Sequence, residues 1–281
     1  MKLSKQALQN LVSSIFAFLL TLLFVVLFVS VGFILGVYDN KSVTRAIYES
    51  NYYKNVYDNL YKNSETIIKK ANLPPTVLAD VITLDCVYIE SKNYVDKALA
   101  GTPPTVKTQE LTNKLLNNIN AYLKNENVER TKSMDQDIAK LTNAIGNQYE
   151  AAVQLHLADD IVKNKARFEQ VIRMCILISL ALIAILSFFS VRLYKYKHRG
   201  IRYIVYALIT SSLLTVGVAS FLLKTKQYSR INVAPDYYKK LISAYLRWDS
   251  MVFIYIGCIG LVMSAALAYV VFYMKKRIIS Q

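Results

Sequence analysis

Cysteine and histidine are scarce in this chain, and each scarcity removes a class of chemistry. The three cysteines, Cys86, Cys175 and Cys258, form no CxxC and no pair at metal-ligand spacing, so no disulfide framework and no zinc site is implied. A lone Cys86 in polar sequence reads as a small buried apolar residue. The two histidines, His156 and His198, stand far apart, which argues against a histidine-based metal centre. No catalytic or nucleotide-binding motif is present. Convergent acid and base groups are missing too; the nearest approach to a cluster is His156 beside Asp159-Asp160. His156 and Asp160 are four apart on one helix face, a spacing that more often gives a solvated or stapling contact than a site. The chain is therefore expected to have no catalytic residues, no cofactor and no metal, and not to be an enzyme.

Acidic residues are also few beside the basic ones: 19 against 34, a formal net charge of +15. Such a balance invites a nucleic-acid reading, but the distribution excludes it. Between Tyr38 and Arg167 there are 17 basic and 16 acidic residues, so that stretch is nearly neutral. The surplus crowds against apolar runs, where it reads as topology determinants and lipid-headgroup contacts. No nucleic-acid partner is expected.

What the sequence does have is apolar runs. Hydrophobic residues make up 54%, and they lie in blocks, which points to the membrane class. The first block, 11–37, carries no charge and as a helix is about 40 Å long, enough to cross a hydrocarbon core of about 30 Å with tilt. A cleaved signal peptide would have a shorter apolar region and a small-residue cleavage site; Gly36-Val-Tyr38-Asp39 is a poor one, so an uncleaved anchor is expected. The second block, 168–191, contains Arg173 near its outer end, from where a long side chain reaches the headgroups. The third is 203–223 and the fourth 251–273.

These blocks predict an all-α chain: four transmembrane helices with a helical extracytoplasmic bundle, 38–167, between helices 1 and 2. Short pieces complete it: a cytosolic N-terminus 1–10, a basic cytosolic turn 192–202, an outer loop 224–250 with an interfacial helix, and a cytosolic tail 274–281. Orientation follows from charge. The N-terminal segment, the turn (Arg192, Lys195, Lys197, Arg199, Arg202) and the tail (Lys275, Lys276, Arg277) hold ten basic and no acidic residues, which places both termini in the cytosol of a plasma membrane. The loop 224–250, with six basic and two acidic residues, goes outside against that rule. Its second half, Pro235–Ser250, interleaves aromatics with lysines, as a helix at the headgroups or a wet extension of the fourth span would.

Small residues recur along the spans at steps of four: Gly32 and Gly36 on the first, Ala207, Ser211 and Thr215 on the third, Gly260, Ser264 and Ala268 on the fourth. They mark helix-packing faces and predict close approach of spans three and four.

Within 38–167 apolar residues recur every three or four positions. A first helix opens with Asn40 or Ser42 as N-cap and ends at Asn72-Leu-Pro-Pro75. Pro75 suits the first turn of a short helix. Thr83 caps a helix over Leu84–Ala100; a strand over Val81–Ile89 is the alternative. Another helix covers Thr108–Lys124, and Ser133 caps the last. No proline follows before Val191, so Ser133–Val191 is expected to be one helix, with any bend at Gly146 or in Asp159–Lys165. The expected bundle core is Val56, Leu60, Ile67, Leu115, Ile119, Ile138, Leu141 and Ile145.

Leu73-Pro74-Pro75-xx-Leu78-xx-Val81, Tyr94-Val95-Asp96 and the Leu-rich helix ending Ala121-Tyr122-Leu123 resemble uncharacterised four-span membrane proteins of low-GC Gram-positive bacteria. That resemblance implies no activity. In topology alone the chain is similar to FtsX- and MacB-like ABC permeases, which also carry a large outer domain between spans one and two. It departs from them in its turn of only about ten residues between spans two and three, where those proteins couple to an ATPase, and in an outer domain that is helical where theirs is mixed. The expected function is that of a non-enzymatic membrane protein whose ectodomain binds an envelope partner or ligand, as an accessory, scaffold or sensor subunit. Its partners would be the bilayer, a membrane or envelope protein, or a second copy of the chain. The alternative is a permease-like subunit of a transport or ABC-type complex.

Overall fold

The computed structural model describes residues 5–230 and 233–279. Among them every regular element is a helix, and no strand occurs. The helices are α1 (Lys5–Gly32), α2 (Asn40–Glu49), α3 (Tyr52–Lys70), α4 (Leu84–Leu99), α5 (Gln109–Asn125), α6 (Lys132–Val153), α7 (His156–Arg192), α8 (Lys197–Thr225) and α9 (Asp236–Ile279). A π-helical turn, Phe33–Val37, ends α1, and 3-10 turns lie at Pro75–Leu78 and Gln227–Arg230. Four stretches are long and apolar enough to cross a membrane: Gln9–Val37, Val162–Arg192, Lys197–Thr225 and Asp236–Arg277.

The chain divides into two compact units. The first is made of Met1–Ser42, Lys165–Ile231 and Ile242–Gln281, and holds the four long apolar helices. Its core joins Phe28 of α1, Leu208 of α8, and Val252 and Ile256 of α9, with Phe24, Val31 and Trp248 packed around them. Its outer surface is apolar: Leu177, Ile178, Leu213, Val218, Val262 and Phe272 are all more than half exposed. Water would not tolerate so much contiguous apolar surface, whereas lipid would. These features are consistent with a multi-pass membrane protein.

Hydrogen bonds order the helix ends in this unit. Gln9 donates to the Leu193 carbonyl (3.2 Å), and the Tyr194 hydroxyl donates to Asn10 Oδ1 (3.1 Å), so the start of α1 meets the turn between α7 and α8. At the opposite end of α1, the Tyr245 hydroxyl donates to the Val37 carbonyl. Ser243 in turn reaches the Tyr228 carbonyl (3.2 Å). That alternation is what four consecutive crossings require.

The second unit is made of Val43–Asn164 with Asn232–Leu241. Helix α3 packs on α4 and α6, and α5 on α6. Val56, Leu60, Leu115, Ile119, Ile138 and Ile145 are buried as expected. Ile67 and Leu141 are only half-buried; their neighbours Ile68 and Thr142 take the inward positions. The second segment of the unit is short but well seated. Tyr237 puts its ring edge-on to that of Tyr52, with centroids 5.8 Å apart, and Lys240 donates to Asn55 Oδ1 (2.9 Å).

Four local expectations are corrected. The helix expected to run from Asn40 to Asn72 is broken at Asn51, which takes the left-handed conformation (φ 49°) that asparagine tolerates better than most residues. The Asn55 amide collects the carbonyls of Ser50 and Asn51 that the break exposes (2.7 and 2.9 Å).

The single helix expected from Ser133 to Val191 is two, interrupted at Gln154–Leu155 with Gln154 extended (ψ 127°). Leu155 and Ala158 are thereby fully buried. Gly146 is no bend: it lies inside α6, where a Cβ would stand 2.8 Å from Thr112 Cγ2 of α5. The cap of α6 is Thr131, whose hydroxyl accepts from the Met134 N–H, and not Ser133. Thr83 caps α4 as expected, accepting from the Cys86 N–H, and Pro75 opens its 3-10 turn.

Cys86 is exposed, not buried. Helix α4 turns Val87, Ser91, Tyr94, Val95 and Ala98 inward, which leaves the preceding position on the outside.

Candidate functional site

The most developed surface for recognition on the second unit is a groove of tyrosines. It forms where α2 ends, α3 begins and α4 begins. The left-handed turn at Asn51 sets Tyr52 inward, fully buried, and leaves Tyr53 half-buried beside it. Tyr53 meets Tyr88 of α4 edge to face with centroids 4.9 Å apart. Tyr48 lies one turn earlier and is 63% exposed, and Leu84 is 43% exposed. Together with Lys54 and Asp85 they line a cavity of about 400 Å³. Burial, reinforced by Asp96, Tyr88 and Tyr48, pushes the Tyr53 phenol above its ordinary value. Its hydroxyl is therefore neutral at physiological pH, able both to donate and to accept. Close by on α4, Lys92 and Asp96 form an ion pair, and the hydrogen bond to Asp96 holds the Lys92 ammonium above its usual range.

Such an arrangement is suited to binding. Tyrosine offers a rigid apolar face and one polar tip at low entropic cost. Among the described residues, no group of three or more histidine, cysteine or acidic side chains could hold a metal ion. The side chains of His156, Asp159 and Asp160 lie outside the described residues. A smaller crevice near Cys86 is rimmed by Lys107, Glu110 and Lys114, with Tyr149 at its floor. There Glu110 and Lys114 pair across one helical turn (2.9 Å), so their charges are spent on each other.

The residues singled out for helix packing fall in the first unit. Ala207, Ser211, Thr215 and Ser264 are buried, and the hydroxyls of Ser211, Thr215 and Ser264 bond to carbonyls of their own helices. A Cβ at Gly32 would stand 2.2 Å from Phe253 of α9, and one at Gly260 would stand 2.3 Å from Ser212 Oγ of α8. At Gly257 α9 approaches the α8 backbone itself, and a Cβ there would stand 3.1 Å from the Ser212 carbonyl. Gly36 faces Asp249 of α9, with Oδ1 3.3 Å from where its Cβ would be. Ala268 is exposed and touches no such seam.

The basic residues singled out for headgroup contact, Arg192, Lys195, Lys197, Arg199, Arg202, Lys275, Lys276 and Arg277, are all exposed. Two also use aromatic faces: Arg192 lies over the Phe188 ring (5.0 Å) and Arg199 over that of Tyr196 (5.8 Å). Arg173 is paired with Glu169 one turn before it.

Sequence reading passed over the tyrosine groove because its members come from three helices and share no spacing. The one available signal was Ser50-Asn51, a turn-forming pair inside a helical pattern. No protein-family model, curated protein or solved structure matches this chain.

Proposed function

We propose that the chain is a non-enzymatic plasma-membrane protein with four spans and both termini cytosolic, and that its second unit is an extracytoplasmic binding domain. The ligand is a polar polymer of the envelope, either a glycan strand or a peptide segment of a partner protein. The observation that carries this reading is the groove of Tyr48, Tyr53 and Tyr88. Tyr48 and Tyr88 keep part of their rings exposed beside the polar Lys54 and Asp85, which is the chemistry that grips a sugar face or an extended peptide. The near-neutral charge of 38–167 fits a ligand held by stacking and hydrogen bonds rather than by long-range attraction. The ten basic and no acidic residues of the N-terminal segment, the 192–202 turn and the tail support the orientation.

The test places a photo-crosslinking amino acid at Tyr48 of the full-length protein in its own membranes, with Lys124 as an exposed control. Irradiation should give one dominant adduct at Tyr48, either to cell-wall material or to a single envelope protein. A Tyr88→Ala background should weaken it by about tenfold or more, as loss of a central aromatic contact does. Identical labelling from the two positions would refute the reading.

A further inference from the structure

The first unit holds a second site of a different kind. At the Val37 end of α1, helices α1, α8 and α9 enclose a cavity of about 720 Å³, within the roughly 300–1,000 Å³ of small-molecule pockets. Its walls are mostly valine, leucine and phenylalanine. Leu214 and Val218 of α8 line it and are 51% and 61% exposed, so it opens sideways onto the apolar surface of the unit.

One charged residue lines this cavity, Asp249. It is 4% exposed, and neither carboxyl oxygen has a hydrogen-bond partner. Three nearby hydroxyls are already engaged, while Gln227 and Tyr228 also line the cavity. The Thr215 hydroxyl bonds to the Ser211 carbonyl, Ser250 to that of Leu246, and Tyr245 to that of Val37. Gly36, inside the π-turn, packs close against the carboxyl, with Oδ1 3.3 Å from where its Cβ would be, and has no side chain of its own to pair with it. Turns of this kind are frequent at functional positions, and an ionisable residue in a span is by default functional. A buried, unpartnered carboxylate is costly, and a ligand that supplies the missing charge recovers that cost.

We infer that this cavity binds an amphiphile with one apolar chain and a protonated amine head, the amine pairing with Asp249 and the chain lying along α1 and α8. A wholly apolar guest would leave the carboxylate unsatisfied, and an anion would be repelled by it. A metal ion would find a single protein carboxylate where calcium takes six to eight oxygens. An alkylammonium brings one positive charge, N–H donors and an apolar body, and it can enter from the side through lipid. This inference stands independently of the tyrosine groove.

The test uses the full-length protein in phosphatidylcholine nanodiscs with tritiated dodecylamine, and empty nanodiscs as background. Dodecylamine should bind saturably, and dodecanol, of equal chain length but uncharged, should bind about tenfold weaker or less, the scale of a hydrogen bond to a charged group. Asp249→Asn should bring dodecylamine down to the dodecanol level and leave dodecanol binding unchanged. Val218→Trp, which narrows the cavity from an exposed position, should weaken both. Equal affinity for amine and alcohol, or undiminished amine binding in Asp249→Asn, overturns the inference, as does the lack of saturable binding. Should Asp249→Asn fail to elute as a folded species, the amine-to-alcohol comparison in the unmodified protein decides alone.

Discussion

Leu115, Ile119 and Ile145 are completely enclosed, each on a different turn of the α5–α6 seam. Leu115→Ala should destabilise the second unit by about 2–5 kcal/mol, the range for a leucine removed from a packed core. Chemical denaturation followed by circular dichroism would measure it, and a change under about half a kcal/mol would take Leu115 out of the core. Most of this core was legible because a residue such as Leu115 or Ile138 lies on one spacing pattern only. Ile67-Ile68 and Leu141-Thr142 were not resolved, since periodicity cannot choose between adjacent positions on a helix face. At Leu141 the inward place goes to a threonine, whose hydroxyl is satisfied by the carbonyls of Ile138 and Ala139 (both 3.0 Å). Asp249 was hidden for another reason. The apolar run begins at Met251, so hydropathy alone puts Asp249 in the loop before it. Only the three-dimensional approach of Gly36 shows that the carboxyl is buried.

At the scale of the element, starts were easier to read than interruptions. A threonine cap followed by a helical pattern is a local signal, and Thr83 was found by it. Thr131 lost to Ser133 in the reading because both are competent caps two residues apart; in the structure their hydroxyls lie 3.0 Å from each other. Thr131→Ala and Thr83→Ala should each cost about 1 kcal/mol, the usual loss on removing a cap, whereas Ser133→Ala should cost less than half as much. Thermal unfolding of the full-length protein followed at a residue of the second unit would separate the three; a Ser133→Ala loss equal to that of Thr131→Ala would contradict the assignment. The break at Gln154 carries no proline or glycine, so nothing local announces it. It is tertiary in origin, driven by the burial of Leu155 and Ala158. Helix α9 shows the reverse: Pro235 directly precedes it, and it runs unbroken from Asp236 into the last apolar stretch.

For the whole molecule, the proposed orientation rests on the ten basic residues of the N-terminal segment, the 192–202 turn and the tail, and the pairing of helix ends in the first unit is compatible with four crossings. Cysteine labelling tests it, in a chain with Cys86, Cys175 and Cys258 replaced. A cysteine at Asn125 should react from outside the cell, and one at Lys197 only after permeabilisation; the reverse pattern would invert the orientation. Gly200 is unsuitable as a labelling position, because a Cβ there would stand 2.4 Å from the Ser190 carbonyl. The span count was legible because apolar runs of this length have few alternatives. That the first turns of α9 join the second unit was not, since long-range packing of this kind leaves no periodic trace in sequence.

That late piece has a consequence for the order in which the protein is made. Tyr52 is closed over by Tyr237, and Asn55 is held by Lys240, yet these partners are separated by 185 positions along the chain. A ribosome that has just delivered α6 has produced nearly all of the second unit but not the segment that seals it. At roughly 5–20 residues per second, several seconds pass before Tyr237 emerges. During that interval Tyr52 lacks this covering ring, and the nascent chain offers an aromatic surface that the finished protein no longer shows, an opening for a chaperone or a protease to act.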